Sequence, residues 1–187
     1  GRQHLTSSVL GRGRVRVVSY NLLAHCLSDS EEKRAKLFPY LPARALDTEY
    51  RRQLQLEEVL GYNADVVCLQ EVDDVKVFKR YLLPHMLDEG FSGCFLKKRG
   101  ASGEGEATFF RSSRFTLAAQ RNLSLRDCFA PPKTDAGGTH AFLAPLLARP
   151  ANAPLRAILT DNINTVAQIL FLAPTSERGD DAEEEER

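Results

Sequence analysis

Two polar residues close short β-branched runs in this chain. Val15-Arg16-Val17-Val18-Ser19-Tyr20 leads into Asn21, and Asp65-Val66-Val67-Cys68-Leu69-Gln70 leads into Glu71. An amide oxygen and a carboxylate delivered at strand ends are hard donors. Mg²⁺ prefers such oxygens and keeps several waters that a substrate phosphate can replace. By residue type alone the bland readings stay open: Asn after a strand is also a turn former, and Glu there is also a solvated acid. His25 lies just beyond Asn21, either facing the same cleft or as an ordinary loop histidine. Asp73 follows Glu71 and either orients it or is solvated. Arg111 ends the run Thr108-Phe109-Phe110. It can grip a backbone phosphate bidentately, or it is a plain exposed strand end. Phe109 and Phe110 can stack on a base, but alternation turns at least one of them into the core.

The elements that must position these groups follow from periodicity. Val15 to Tyr20 reads as a buried strand. The long stretch from Leu22 to Leu46, broken by Pro39 and Pro42, is expected to be a functional or disordered connection. A helix spans Tyr50 to Leu60, with Thr48 as N-cap, an apolar face of Tyr50, Leu54, Leu56, Val59 and Leu60, and Gly61 as the stop. Asp65 to Glu71 is the second strand. A second helix over Val75 to Leu87 carries Val75, Phe78, Leu82 and Met86, with Pro84 bending or shortening its end. Gly93 to Lys97 and Ala107 to Arg111 are paired strands joined by the Gly-rich turn at 100–105. Phe115 to Leu125 and Thr165 to Leu172 are further strands, and a short helix is expected from Thr139.

The words around the two polar residues carry a resemblance. Ser19-Tyr20-Asn21-Leu22-Leu23-Ala24 and Cys68-Leu69-Gln70-Glu71-Val72-Asp73 resemble the first two signatures of the endonuclease/exonuclease/phosphatase superfamily. Within it the chain resembles the deadenylase branch, with Ccr4-type deadenylases and nocturnin, and most of all the 2',5'-phosphodiesterases that degrade 2',5'-oligoadenylate and poly(A). Leu37-Phe38-Pro39-Tyr40, Tyr50-Arg51-Arg52-Gln53-Leu54, Gly61-Tyr62-Asn63-Ala64-Asp65 and Glu106-Ala107-Thr108-Phe109-Phe110-Arg111 carry it, from about Arg14 to Leu125. The resemblance implies that Glu71 ligates Mg²⁺ and that Asn21 touches the metal-bound phosphate or water. By position and residue type, His25 and Arg111 stand beside them as candidate substrate contacts. The family also needs a Thr-His-Leu strand, a Gly-Asp-Phe-Asn segment and a Ser-Asp-His; the last two are not in this sequence. Thr139-His140 echoes the Thr-His pair but follows Gly137-Gly138 rather than an apolar strand, and Asp161-Asn162 reads as a turn.

The fold class expected is therefore α/β: the first half of a four-layer α/β sandwich, with the second sheet missing. Residues 1–13 form an N-terminal linker and 14–173 a partial domain with a Pro/Gly-rich insert at 130–152. Residues 174–187 form a disordered acidic tail, since a block of acids repels itself. The implied activity is a Mg²⁺-dependent phosphodiesterase or 3'-5' exoribonuclease acting on adenosine-rich RNA, poly(A) or 2',5'-oligoadenylate. The alternative is a truncated half-domain that binds RNA or a partner without turnover. An uncovered sheet face would invite a protein partner or aggregation.

Charge narrows these classes little: 25 basic and 25 acidic residues balance, so no global field steers the chain toward nucleic acid. The first 28 residues nevertheless hold four Arg and no acid, a transit-peptide-like composition that also suits a solvated linker. No apolar run is long enough for a membrane span. Four cysteines without metal spacing fit a reducing compartment, mitochondrial or cytoplasmic rather than secreted.

Overall fold

The structure, a computed structural model, describes residues 4–7, 10, 13–101, 103–129, 145–146, 148–159 and 163–175. His140, Asp161, Asn162 and the acidic tail from residue 176 lie outside them, as does most of the proline-rich insert. β1 (Val17–Asn21) is followed by α1 (Glu31–Leu37), capped by Ser30, and by α2 (Thr48–Gly61). β2 (Val66–Val72) leads into α3 (Val75–Val77), which continues into α4 (Leu83–Asp88) through a π turn at Phe78–Leu82. β3 (Phe91–Lys97), β4 (Gly105–Arg111), β5 (Phe115–Ser124), α5 (Leu125–Phe129), α6 (Ala153–Ala157) and β6 (Val166–Pro174) complete the order.

β1 and β2 run parallel, while β4 lies antiparallel beside β2 and β3 antiparallel beside β4. The crossover between the parallel strands is α2, the usual solution for a parallel pair. One sheet face packs on the helices. Val67, Leu69, Ala107 and Phe109 meet Val59 of α2 and Phe78, Leu82 and Met86 of the second helical segment in one buried cluster. Phe109 rests on Phe78 with ring centroids 5.6 Å apart. Phe110 is also buried, so neither phenylalanine is free to stack on a base. β3 approaches β4 so closely that a Cβ on Gly93 would lie 2.4 Å from the Phe109 ring.

Several sequence expectations shift. Asp47, not Thr48, caps α2: its Oδ1 accepts from the Tyr50 N–H at 2.9 Å. Tyr50 and Leu54 face water, and the buried side of α2 is Leu56, Val59 and Leu60. The left-handed residue after the helix is Asn63 (φ +51°), two positions beyond Gly61. Pro84 does not shorten its helix. The widened turn before it, closed by Leu83 N–H on Phe78 O, absorbs the proline and the helix runs on to Asp88. Part of the N-terminal segment is docked rather than solvated: Leu5 N–H bonds to Gly61 O and Thr6 Oγ1 to Tyr62 O.

The strand expected over Thr165 to Leu172 is β6, and it joins a different sheet. It pairs antiparallel with β5 from Phe115↔Pro174 to Ser124↔Val166, so Pro174 belongs to a strand and not to the tail. This ribbon also touches β3 and β4. Among the described residues β5 and β6 form a separate two-stranded sheet. Arg114, at the start of the ribbon, is tied to buried Asp65 at 2.6 Å. Among the described residues no helix is long and apolar enough to cross a membrane.

Candidate functional site

Parallel pairing of β1 with β2 places Asn21 opposite Gln70, and Glu71 one position beyond. Strict alternation would send Glu71 into the core with Val67 and Leu69, and Val72 outward. The opposite occurs: Val72 is fully buried, and Glu71 is half-buried at φ +56°. The register against β4 slips between Leu69 and Val72, so β2 carries one extra residue there. Such a bulge re-aims a side chain. A non-glycine residue in this conformation costs about 1–3 kcal/mol and persists only where its surroundings hold it.

The surroundings are specific. Asn21 Nδ2 donates to Glu71 Oε1 at 2.8 Å, and Ala24 N–H donates to Glu71 Oε2 at 3.1 Å. Asn21 Oδ1 accepts from Leu23 N–H at 2.7 Å. Leu23 is itself left-handed, at φ +56°. Behind this loop Arg51 of α2 donates from Nη2 to both Leu22 O and Leu23 O, each at 2.6 Å, and Gln55 donates to Leu22 O. Burial lowers the Arg51 pKa, while Asp73 and Glu71 pull it back up. Asp73 takes Arg52 Nη2 at 3.0 Å on one oxygen and the His25 backbone N–H on the other. It is therefore bonded on both sides rather than solvated.

A cleft of about 110 Å³ opens in front of the pair, lined by Asn21, Gln70, Glu71, Lys98, Glu104 and Glu106 and bounded by Thr165 and Val166 of the ribbon. Lys98 Nζ sits 2.5 Å from Glu104 Oε1, a bond that raises the Lys98 pKa and keeps its cation. Cys26 Sγ lies 3.6 Å from the other Glu104 oxygen, and burial first, then Glu104, pushes that thiol up. Burial also raises the Glu106 carboxyl.

Asn21 and Glu71 are brought together as the sequence suggests. His25 is near them but exposed, its ring Nδ1 engaged with Thr48 Oγ1 at 2.8 Å. Arg111 is not brought to them. It lies at the opposite end of β2, where its guanidinium covers the Phe91 ring at 4.5 Å and reaches Ala64 O. Sequence reasoning missed Lys98, Glu104 and Arg51. For the first two a signal existed: they flank a Gly-rich turn between strands that pair Lys97 with Gly105, which puts them side by side.

As a metal site the donor set is sparse but fitting. Among the described residues no group of three or more His, Cys, Asp and Glu is placed to hold a metal. Mg²⁺, however, is commonly held by one or two carboxylates with water and substrate phosphate completing its shell. Glu71 retains free lone pairs beyond the two it has committed.

No family model matches the chain. In sequence it is 43% identical over 123 residues to 2',5'-phosphodiesterase 12 of Homo sapiens, covering 65% of this chain and 20% of that protein. It is 35% identical over 116 residues to the CCR4-Not complex 3'-5'-exoribonuclease subunit Ccr4 of Candida albicans, covering 57% of this chain and 14% of that one. In structure it is similar to ANGEL2, a 2',3'-cyclic phosphatase crystallised with adenosine-2',3'-vanadate. The TM-score is 0.63 at 22% identity, over 86% of this chain and 37% of that one. In sequence the chain is thus similar to part of the 2',5'-phosphodiesterases and of the Ccr4 exoribonucleases. Its α/β fold is part of the endonuclease/exonuclease/phosphatase sandwich, and it spans about a fifth of the length of the 2',5'-phosphodiesterases it matches.

Proposed function

We propose that this chain contributes the Asn21–Glu71 arm of a Mg²⁺-dependent site that hydrolyses phosphodiester bonds in adenosine-rich RNA, poly(A) or 2',5'-oligoadenylate. One observation carries the reading: an exposed amide and a strained carboxylate are bonded to each other at the mouth of a charged cleft, each also fixed by a loop N–H. Strain held at one polar residue by its neighbours is typical of sites that must be preorganised. Mg²⁺ bound there would polarise a phosphoryl oxygen and offset charge developing on the phosphate. Glu71 and Asn21 would hold the ion and its water in place. Lys98 lies on the same cleft wall, paired there with Glu104.

The test uses Mn²⁺ as a paramagnetic stand-in for Mg²⁺ on the 187-residue chain. Mn²⁺ is expected to broaden the amide resonances of Asn21, Ala24 and Glu71 first, and binding should be weak, about millimolar, because a single carboxylate anchors it. Glu71→Gln should abolish the effect. Broadening centred elsewhere, or unchanged in the variant, refutes the reading. The same chain should leave poly(A) and 2',5'-oligoadenylate intact, because it carries neither the Gly-Asp-Phe-Asn nor the Ser-Asp-His segment. A metal-dependent product ladder lost in Glu71→Ala would show a complete site.

A further inference from the structure

We infer that Arg51 is a positioning residue for the Asn21–Glu71 pair, acting on it through two peptide planes. The inference rests on the metal-site reading above. The peptide joining Leu22 to Leu23 presents its carbonyl to Arg51 and Gln55 and its N–H to Asn21 Oδ1. The next peptide presents the Leu23 carbonyl to Arg51 and the Ala24 N–H to Glu71 Oε2. One guanidinium nitrogen, 2.6 Å from both carbonyl oxygens, therefore fixes two amide dipoles whose far ends grip the two candidate ligands.

The chemistry asks for this residue type. A guanidinium offers several donors in a rigid plane, and so can serve adjacent carbonyls and keep a further contact. Here Nη1 also points at Ser28 Oγ, 3.5 Å away, at the far end of the same loop. A fixed positive charge behind the carbonyls polarises both amides, strengthening the bonds they donate to Asn21 and Glu71. It also holds Leu23 left-handed, a conformation that a leucine does not otherwise favour. Groups that orient metal ligands without touching the metal tune affinity in this way.

Three substitutions test it: Arg51→Met, which keeps the apolar stem; Arg51→Lys, which restores charge but not the fork; and Gln53→Ala, an exposed change on the same helix. The readouts are Mn²⁺ affinity from relaxation, and hydrogen-exchange protection of the Leu23 and Ala24 amides. Arg51→Met is expected to weaken Mn²⁺ binding about tenfold and to strip protection from both amides while the amides of α2 keep theirs. Arg51→Lys should recover part of both, and Gln53→Ala should match the unsubstituted chain. Unchanged affinity with both amides still protected in Arg51→Met overturns the inference. If Arg51→Met fails to fold, Arg51→Lys decides: equality with the unsubstituted chain in both readouts overturns it. If the unsubstituted chain gathers no Mn²⁺ at Glu71, the metal reading fails, and amide protection alone still decides whether Arg51 holds the loop.

Discussion

Glu106 has a pH dependence opposite in sign to that of a paired surface acid. Burial raises its carboxyl above the ordinary range, with Lys98 pulling the other way. The folded chain therefore holds that proton at a pH where the unfolded chain has released it. The favourable contribution is fully present below the unfolded pKa and is lost as pH rises through the folded one. Glu106→Gln is expected to raise the melting temperature at neutral pH and to lose that advantage on acidification, when the native carboxyl is neutral as well. Melting curves across pH 3–8, about the range where raised carboxyls titrate, check this; an advantage that grows on acidification refutes it. Asn21 and Glu71 were legible in the sequence because a characteristic run of residues surrounds each. Arg51 was not, since its partners are backbone carbonyls, which leave no trace in residue types. Arg111 shows the converse: a basic strand end reads as a phosphate contact until the register shows which end of the sheet it occupies.

The strands and helices were mostly legible, and their connections and ends were less so. The β-branched runs placed β1 and β2, and the Gly-rich turn placed the β3–β4 hairpin. Capping was misread by one residue because Asp47 and Thr48 are both good caps, and only the chain path decides between them. The π turn could not be read, since helical spacing tolerates one extra residue in the ring of Phe78, Leu82 and Met86 around the core. β6 was legible as a strand but its pairing with β5 was not, because an apolar run says nothing about which sheet it joins. Tyr20 shows how firmly β1 and α2 are joined: burial and the bond it donates to Glu58 push its phenol up to about 12.

At the scale of the whole molecule, apolar surface remains in water. Val17 on the edge strand, and Leu117, Ile169 and Phe171 on the ribbon, are all exposed. Each 100 Å² of apolar area left wet forgoes about 2.5 kcal/mol, against a total stability of about 5–15 kcal/mol for an ordinary domain. A few such patches matter at that margin. The 187-residue chain is expected to bind a hydrophobic dye and to melt broadly, or to self-associate. A monodisperse, dye-silent protein with a sharp transition would show that the exposed strands need no cover.

β2 holds one residue more than β4 provides partners for, and this makes the strand's length a determinant in its own right. Remove Gln70 and simple alternation is restored. Val67, Leu69 and Val72 fall on one face with no left-handed residue, and Glu71 takes the place opposite Asn21. A single-codon deletion in a buried strand normally turns every later side chain to the wrong face. Here it should relieve about 1–3 kcal/mol of backbone strain, and keep or raise the melting temperature. The carboxylate would sink below the loop that grips it, and Mn²⁺ affinity would fall. A deletion chain that melts lower and still binds Mn²⁺ as before contradicts this. The lesion expected to be gravest for the fold would be nearly silent there, and would be felt at the site instead.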